Sequence, residues 1–281
     1  GWVRYCEAFF PDFLGNLSTC KSPQQMMGAL VKTYYARKAS VAPDKIFSVS
    51  VMPCTAKKSE AARPEMTASG LRDVDVALTT RELARMIKAA GINLDDLPDG
   101  EFDAPLGIST GAGALFGVSG GVMEAALRTV CDVAAKKAPG GVEFSEVRGM
   151  DGIREAVLMV SGQELRVAVA HGLGNAGRLL QQIRDEKVSY HFIEVMACPG
   201  GCVEGGGQPR SCDPEIAAKR VAALYAEDRR AKVRKSHENL AVRRLYDGFL
   251  GEPGSEAAHK LLHTTYRSVE EAAGVARKEA M

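Results

Sequence analysis

Apolar positions along the chain follow two periods, and the exchange between them predicts an α/β protein. Ser22 is a natural N-cap with Pro23 at the first helical position, and Gln24 to Lys38 carries apolar residues at helical spacing. Ile46 to Met52 is instead a short run of β-branched and apolar residues, read as a core strand that ends at Pro53 and delivers Cys54. Val74 to Leu78 is a second such strand, and Thr79-x-x-Glu82 is a capping box opening a helix that stops at Gly91. Further on, the pattern predicts a helix from Val122 to about Lys137, then a hairpin of Glu155–Val160 and Leu165–Ala170 through Ser161-Gly162. It continues with a helix from Gly174 to about Glu186 and a buried strand over Phe192–Met196. After Pro214 the pattern is helical, with breaks at Gly248–Gly254 and near Thr264-Thr265, whereas Trp2 to Phe13 reads as aromatic and irregular. Strands alternating with helices are βαβ grammar. The acidic, Pro/Gly-punctuated stretch Asp95 to Pro105 divides a first lobe, about residues 1–100, from a second, about 101–213, with carboxy-terminal helices over 214–281.

Composition narrows the function classes. With 46% hydrophobic and 25% charged residues the chain can bury a substantial core, and a formal charge of +1 predicts no nucleic-acid partner. No apolar run approaches the roughly 18 residues of a spanning helix, so no membrane insertion is expected. Seven cysteines, an odd number in a mid-sized chain, argue for reduced thiols over a disulfide framework. Cys6, Cys20, Cys131 and Cys212 stand alone and read as small buried or half-buried hydrophobes. The start at Gly1, with no initiator Met and no charged-then-apolar leader, implies either that something upstream has been removed or that the chain is a fragment.

The candidate chemistry lies in His191 to Pro209. Cys198 and Cys202 are separated by Pro199-Gly200-Gly201 and followed by Gly205-Gly206-Gly207, a loop in which both sulfurs can turn to one centre while the backbone approaches its other ligands closely. Together with Cys54 this places three thiols at the carboxyl ends of two predicted strands, the sheet edge where α/β proteins bind ligands. Zinc would take three cysteines and one histidine, with His171 or His191 as candidates, and an iron-sulfur cluster would ask for a fourth thiolate. A second glycine-dense stretch, Gly107 to Gly121, lacks the spacing of a phosphate loop and reads as backbone that packs against a cofactor.

Two long segments carry a family resemblance. Met52-Pro-Cys-Thr-Ala-Lys-Lys-Ser-Glu60 and Glu194-Val-Met-Ala-Cys-Pro-Gly-Gly-Cys-Val-Glu-Gly-Gly-Gly-Gln-Pro209 resemble the second and third signatures of the FeFe-hydrogenases. Lys21-Ser-Pro-Gln-Gln25, Thr110 to Arg128 and Leu261 to Tyr266 are similar to that family too. The resemblance covers Gly1 to at least Tyr266 and implies a single catalytic domain over 1–281, two-lobed, with a metal cluster in the cleft. Of the first signature, which would precede the chain, only Gly1-Trp2 is present. A fourth cluster ligand and a proton-delivering cysteine would thus lie upstream, and the chain alone would be incomplete for activity.

The resemblance further implies an H-cluster, a 4Fe-4S cluster joined to a two-iron unit that carries carbonyl, cyanide and a bridging dithiolate. Cys54, Cys198 and Cys202 would be its ligands, Cys202 bridging to the two-iron unit. Lys57 would donate to an iron-bound cyanide, Met52 and Met196 would line the two-iron site, Pro23, Gln24 and Phe116 would surround its diatomic ligands, and Ser18 would stand on the proton route. The implied activity is reversible reduction of protons to H2, with a ferredoxin or NAD(P)-linked electron partner and dedicated maturation proteins; the expected location is cytoplasmic, a periplasmic one staying open because the natural amino terminus is missing. An iron-sulfur assembly protein and a hydrogen sensor are the alternatives.

Overall fold

The computed structural model describes residues 1–135, 143–149, 151–211 and 213–271, so Cys212 and the expected helix end at Lys137 lie outside the described residues. The protein is α/β, with small sheets flanked by helices, and divides into two compact units. One is Gly1–Leu106 together with the chain from Arg244 onward, and the other is Gly107–Arg243. The division falls just after the acidic linker, and the helical carboxy-terminal stretch is shared between the units. Among the described residues no helix is long and apolar enough to cross a membrane.

In the first unit β1 (Val49–Met52) and β2 (Val76–Thr79) pair in parallel, Val49 opposite Val76 and Met52 opposite Thr79. A parallel pair needs a crossover. Here it contains the short helix Ala56–Ala61, and Ala61, Val74 and Ala77 form a small buried cluster. The capping box closes as the sequence predicts: Thr79 accepts from the Glu82 amide at 3.2 Å and Glu82 accepts from the Thr79 amide at 2.8 Å, opening the helix Thr80–Ala89. The expected helix from Pro23 is present as Pro23–Leu30, a π turn over Val31–Tyr35 and Ala36–Ala39. Its Leu30 joins Leu245, Leu250, Ala258, Leu261 and Leu262 in the larger core of this unit.

The amino-terminal stretch departs from expectation. Trp2–Phe9 is helical, because Trp2, Tyr5, Cys6 and Phe9 recur at helical spacing, and the Tyr5 ring packs at a tilt against Phe9 and Phe10 with centroids 5.1 and 5.7 Å away. Aromatic density hid the period. Cys6 is fully buried, and burial pushes its thiol up to about 11, as expected of a structural cysteine.

The second unit holds a mixed sheet in the order β3-β4-β5, of Ile153–Val160, Gln163–His171 and Phe192–Met196. The hairpin β3–β4 is antiparallel and turns at Ser161 and Gly162, both with positive φ, while β4–β5 is parallel across the helix Leu173–Arg184. Each face is covered. Ala168 and Ala170 pack on Leu179, and Val167 and Val169 pack on Met123 and Leu127 of the helix Gly121–Ala135. That helix is tied to the helix Pro214–Arg230 through Arg128, which donates to Asp228 at 2.7 and 2.8 Å and to Glu124 at 2.7 Å.

Candidate metal centre

In the first unit the turn after β1 presents Cys54, a half-buried free thiol, and the following helix carries Lys57 and Glu60 on one side. Glu60 is the hub of this corner. Its Oε2 accepts from Lys57 Nζ at 2.8 Å, from Ser22 Oγ at 2.8 Å and from Gln24 Nε2 at 3.2 Å. Gln24 also donates to the Lys57 carbonyl at 3.3 Å and accepts from Ser50 Oγ at 2.6 Å, so an almost fully buried amide joins the first helical turn after Pro23 to β1 and to Lys57. These contacts give Lys57 a set direction. Cys54, Lys57, Glu60, Glu7, Cys20 and Tyr266 are among the residues lining a cavity of about 590 Å³. Ser18 is exposed and its Oγ accepts from the Cys20 amide at 3.3 Å, leaving the hydroxyl proton to donate elsewhere, while its carbonyl accepts from Tyr266 Oη at 2.8 Å.

In the second unit β5 ends at Met196 and delivers Cys198 and Cys202, both half-buried, into a loop held against Gly117–Ser119. Ser119 N donates to the Gly200 carbonyl at 3.1 Å and Val203 N donates to the Gly117 carbonyl at 3.0 Å. Gly201 lies between them at φ 98°, ψ −157°, and a Cβ there would stand 2.7 Å from Ser119 N. The glycine-dense stretch that precedes this contact is partly helical, Gly111–Leu115 capped by Thr110, and ends at half-buried Phe116. So the two glycine-rich segments pack on each other: Gly117 to Ser119 serves the loop as a brace.

Two supporting residues, Glu194 and Arg154, escaped the sequence reading. Glu194 is buried at mid-strand in β5 and accepts from Gly120 N at 2.7 Å and Met123 N at 2.6 Å, capping the helix Gly121–Ala135. Burial pushes its carboxyl above the usual range against those amides and Arg154. Arg154 in turn binds Ser119 Oγ at 3.1 Å and the carbonyls of Val147 and Asp151. His171 is buried at the end of β4 and accepts from Gly200 N at 3.0 Å, whereas His191 accepts from the Arg166 amide on the surface. A charged residue inside an apolar strand was the available signal for Glu194. Of the solitary cysteines, Cys6 and Cys131 are buried but Cys20 is exposed.

The donor set suits iron. Each unit by itself offers half-buried thiol at a strand end beside apolar side chains, Cys54 with Met52 and Lys57 in the first and Cys198 and Cys202 with Met196 and Phe116 in the second, a chemistry that fits iron-sulfur ligation. Comparison with known proteins agrees. The family model for the iron only hydrogenase large subunit, C-terminal domain, matches residues 1–206, and that for the iron hydrogenase small subunit matches residues 214–269. This chain belongs to the iron-only hydrogenase family. The NADP-reducing hydrogenase subunit HndD of Solidesulfovibrio fructosivorans is 54% identical over 267 residues, covering 95% of this chain and 46% of that protein. Apo FeFe-hydrogenase from Chlamydomonas reinhardtii superposes with a TM-score of 0.83 at 44% identity, over 95% of this chain and 74% of that one. The cytosolic iron-sulfur assembly component 3 of Pongo abelii is 36% identical over 97% of this chain and 58% of its own length. The chain thus spans about half the length of the curated relatives it matches.

Proposed function

We propose that this chain is the cluster-binding part of an iron-only hydrogenase that interconverts protons, electrons and H2. Cys54, Cys198 and Cys202 would hold a 4Fe-4S cluster as thiolate ligands, and Cys202 would also serve a two-iron unit carrying carbonyl, cyanide and dithiolate. When bound, that group supplies the redox and proton-exchange chemistry of hydrogen formation and cleavage. The residues of the chain do the rest. Lys57, aimed by Glu60 and Gln24, would offer a cation to the anionic group and a hydrogen bond to its cyanide. Met52, Met196, Phe116 and Pro23 exclude water from it, Gln24 contributes a polar edge, and Ser18 passes a proton at Oγ. The observation that carries this reading is the Cys198–Cys202 loop, whose backbone is braced against Gly117–Ser119.

Electrons come from a ferredoxin or an NAD(P)-linked subunit, and maturation proteins install the two-iron unit. The placement proposed is cytoplasmic, with a periplasmic one as the alternative. A second reading, iron-sulfur cluster assembly, is favoured by the 36% identical assembly component, but the identity to HndD is higher. The chain is to be co-expressed anaerobically with hydrogenase maturation proteins and examined by infrared spectroscopy. Bands of iron-bound carbonyl and cyanide that vanish in Cys202→Ala are expected, and bands that persist in that variant overturn the ligand assignment. A cubane signal with no such bands would favour the assembly role.

A further inference from the structure

The Cys198–Cys202 loop is fixed on both sides of one residue. The Gly200 carbonyl takes a hydrogen bond from Ser119 N at 3.1 Å, and its N–H gives one to His171 Nδ1 at 3.0 Å. Gly200 and Gly201 both have positive φ, 71° and 98°, so this stretch has conformations open to it that other residues lack. Such a loop needs outside anchors to hold one of them. Of the other amides here, Gly201 N is spent on the Cys198 carbonyl at 3.1 Å and Gly205 N on the Cys202 carbonyl at 2.9 Å.

His171 is a rigid anchor. It ends β4 opposite Met196 of β5, its backbone N–H donates to Gly152 at 3.0 Å, its carbonyl accepts from Asn175 Nδ2 at 2.7 Å, and Gly172 N donates to the Met196 carbonyl at 2.9 Å. The residue is 5% exposed. Because Nδ1 accepts, the ring carries its proton on Nε2, a tautomer assigned from the hydrogen-bond geometry.

We infer that His171 is a positioning residue for the metal centre: by taking the Gly200 N–H it holds the Cys198–Cys202 loop in shape and keeps that donor from turning to an iron-bound sulfur. The inference rests on the reading of Cys198 and Cys202 as ligands. Its chemical consequence is a redox one, since each amide N–H directed at a cluster sulfur stabilises the reduced, more negative state and raises the reduction potential. A buried imidazole that diverts one such donor keeps the potential low. Asparagine at this position can place its Oδ1 where Nδ1 stands, whereas leucine fills similar space with no acceptor.

The test has two arms. In the metal-free 15N-labelled chain, the Gly200 amide is expected to show a scalar coupling across the hydrogen bond to His171 Nδ1 and slow hydrogen exchange. Exchange should accelerate at least tenfold in His171→Leu and return close to the original rate in His171→Asn. In the chain reconstituted with iron and sulfide, His171→Leu should shift the cluster midpoint potential to less negative values, and His171→Asn should leave it near that of the unaltered protein. Absence of the coupling, or exchange that is the same in the leucine variant, overturns the inference. So does an asparagine variant that behaves like leucine, because the ring would then act by packing alone. If the leucine variant does not fold, the coupling in the unaltered chain and the asparagine exchange rate still decide. Failure of the unaltered chain to take up iron would sink the ligand assignment, while the metal-free arm would still decide whether His171 holds the loop.

Discussion

Replacing Gly201 by alanine tests the brace directly. Gly201 adopts φ 98° with ψ −157°, a region open essentially to glycine alone, and forcing an L residue into it costs about 1–3 kcal/mol. The added Cβ would lie 2.7 Å from Ser119 N, 2.9 Å from the Val118 carbonyl carbon and 3.0 Å from the Gly117 oxygen. All three are backbone atoms of the packed segment and cannot rotate aside, so overpacking adds about 1–3 kcal/mol more. The expected loss is about 4 kcal/mol in the unit that contains the loop, a melting shift on the order of 10 °C. Urea and thermal unfolding of the metal-free chain measure it, and Gly174→Ala is the control. A Cβ on Gly174, early in the helix Leu173–Arg184, meets open space, and that variant should be neutral or gain roughly 0.5 kcal/mol. A Gly201→Ala protein within about 1 kcal/mol of the parent would mean that the loop is not clamped by Gly117–Ser119.

Three further outcomes are expected. Burial raises the Asp228 carboxyl, but Arg128 and Arg234 outweigh it and hold the group at about 2, below its ordinary 3.8. Its contribution is therefore complete above pH 3.8 and is lost as pH falls from there through 2. It amounts to about 2 kcal/mol for a side chain only 1% exposed, and Asp228→Asn should flatten the acid limb of the stability curve in that window. Glu194→Gln turns an amide NH2 toward one of the two backbone donors that the carboxylate now accepts from, Gly120 N or Met123 N. A loss of about 1–3 kcal/mol in urea titration is expected. Thr79→Ala removes the hydroxyl of the capping box and should cost about 1 kcal/mol, with Thr79→Ser close to the parent in the same assay.

What lay open in the amino-acid order was local chemistry. The capping box at Thr79, the turn at Ser161-Gly162, the strand Phe192–Met196 and the glycine spacing around Cys198 and Cys202 are short-range signals, set by backbone sterics and by hydrogen bonds a few residues long. Motif length did the same for family membership, since two signatures with their intervening glycines are too specific to arise from composition. Helical periodicity among Trp2, Tyr5, Cys6 and Phe9 was present as well, but a stretch rich in aromatic residues reads as irregular until neighbours show which face is covered.

Long-range pairing was decided only in the folded chain. Nothing near Glu194 in sequence announces that its carboxylate will cap a helix that begins at Gly121, and nothing near His171 says that it will receive the amide of Gly200. The same holds for Glu60, whose three donors come from Ser22, Gln24 and Lys57. Such partners are chosen by which strand ends lie side by side and which buried polar groups still lack a bond, and a buried group left unpaired costs about 1–3 kcal/mol. Sequence alone named the thiols, glycines and lysine proposed for an iron site. Tertiary structure decided which histidine, carboxylate and backbone amides hold them still, because those bonds join residues far apart in the chain.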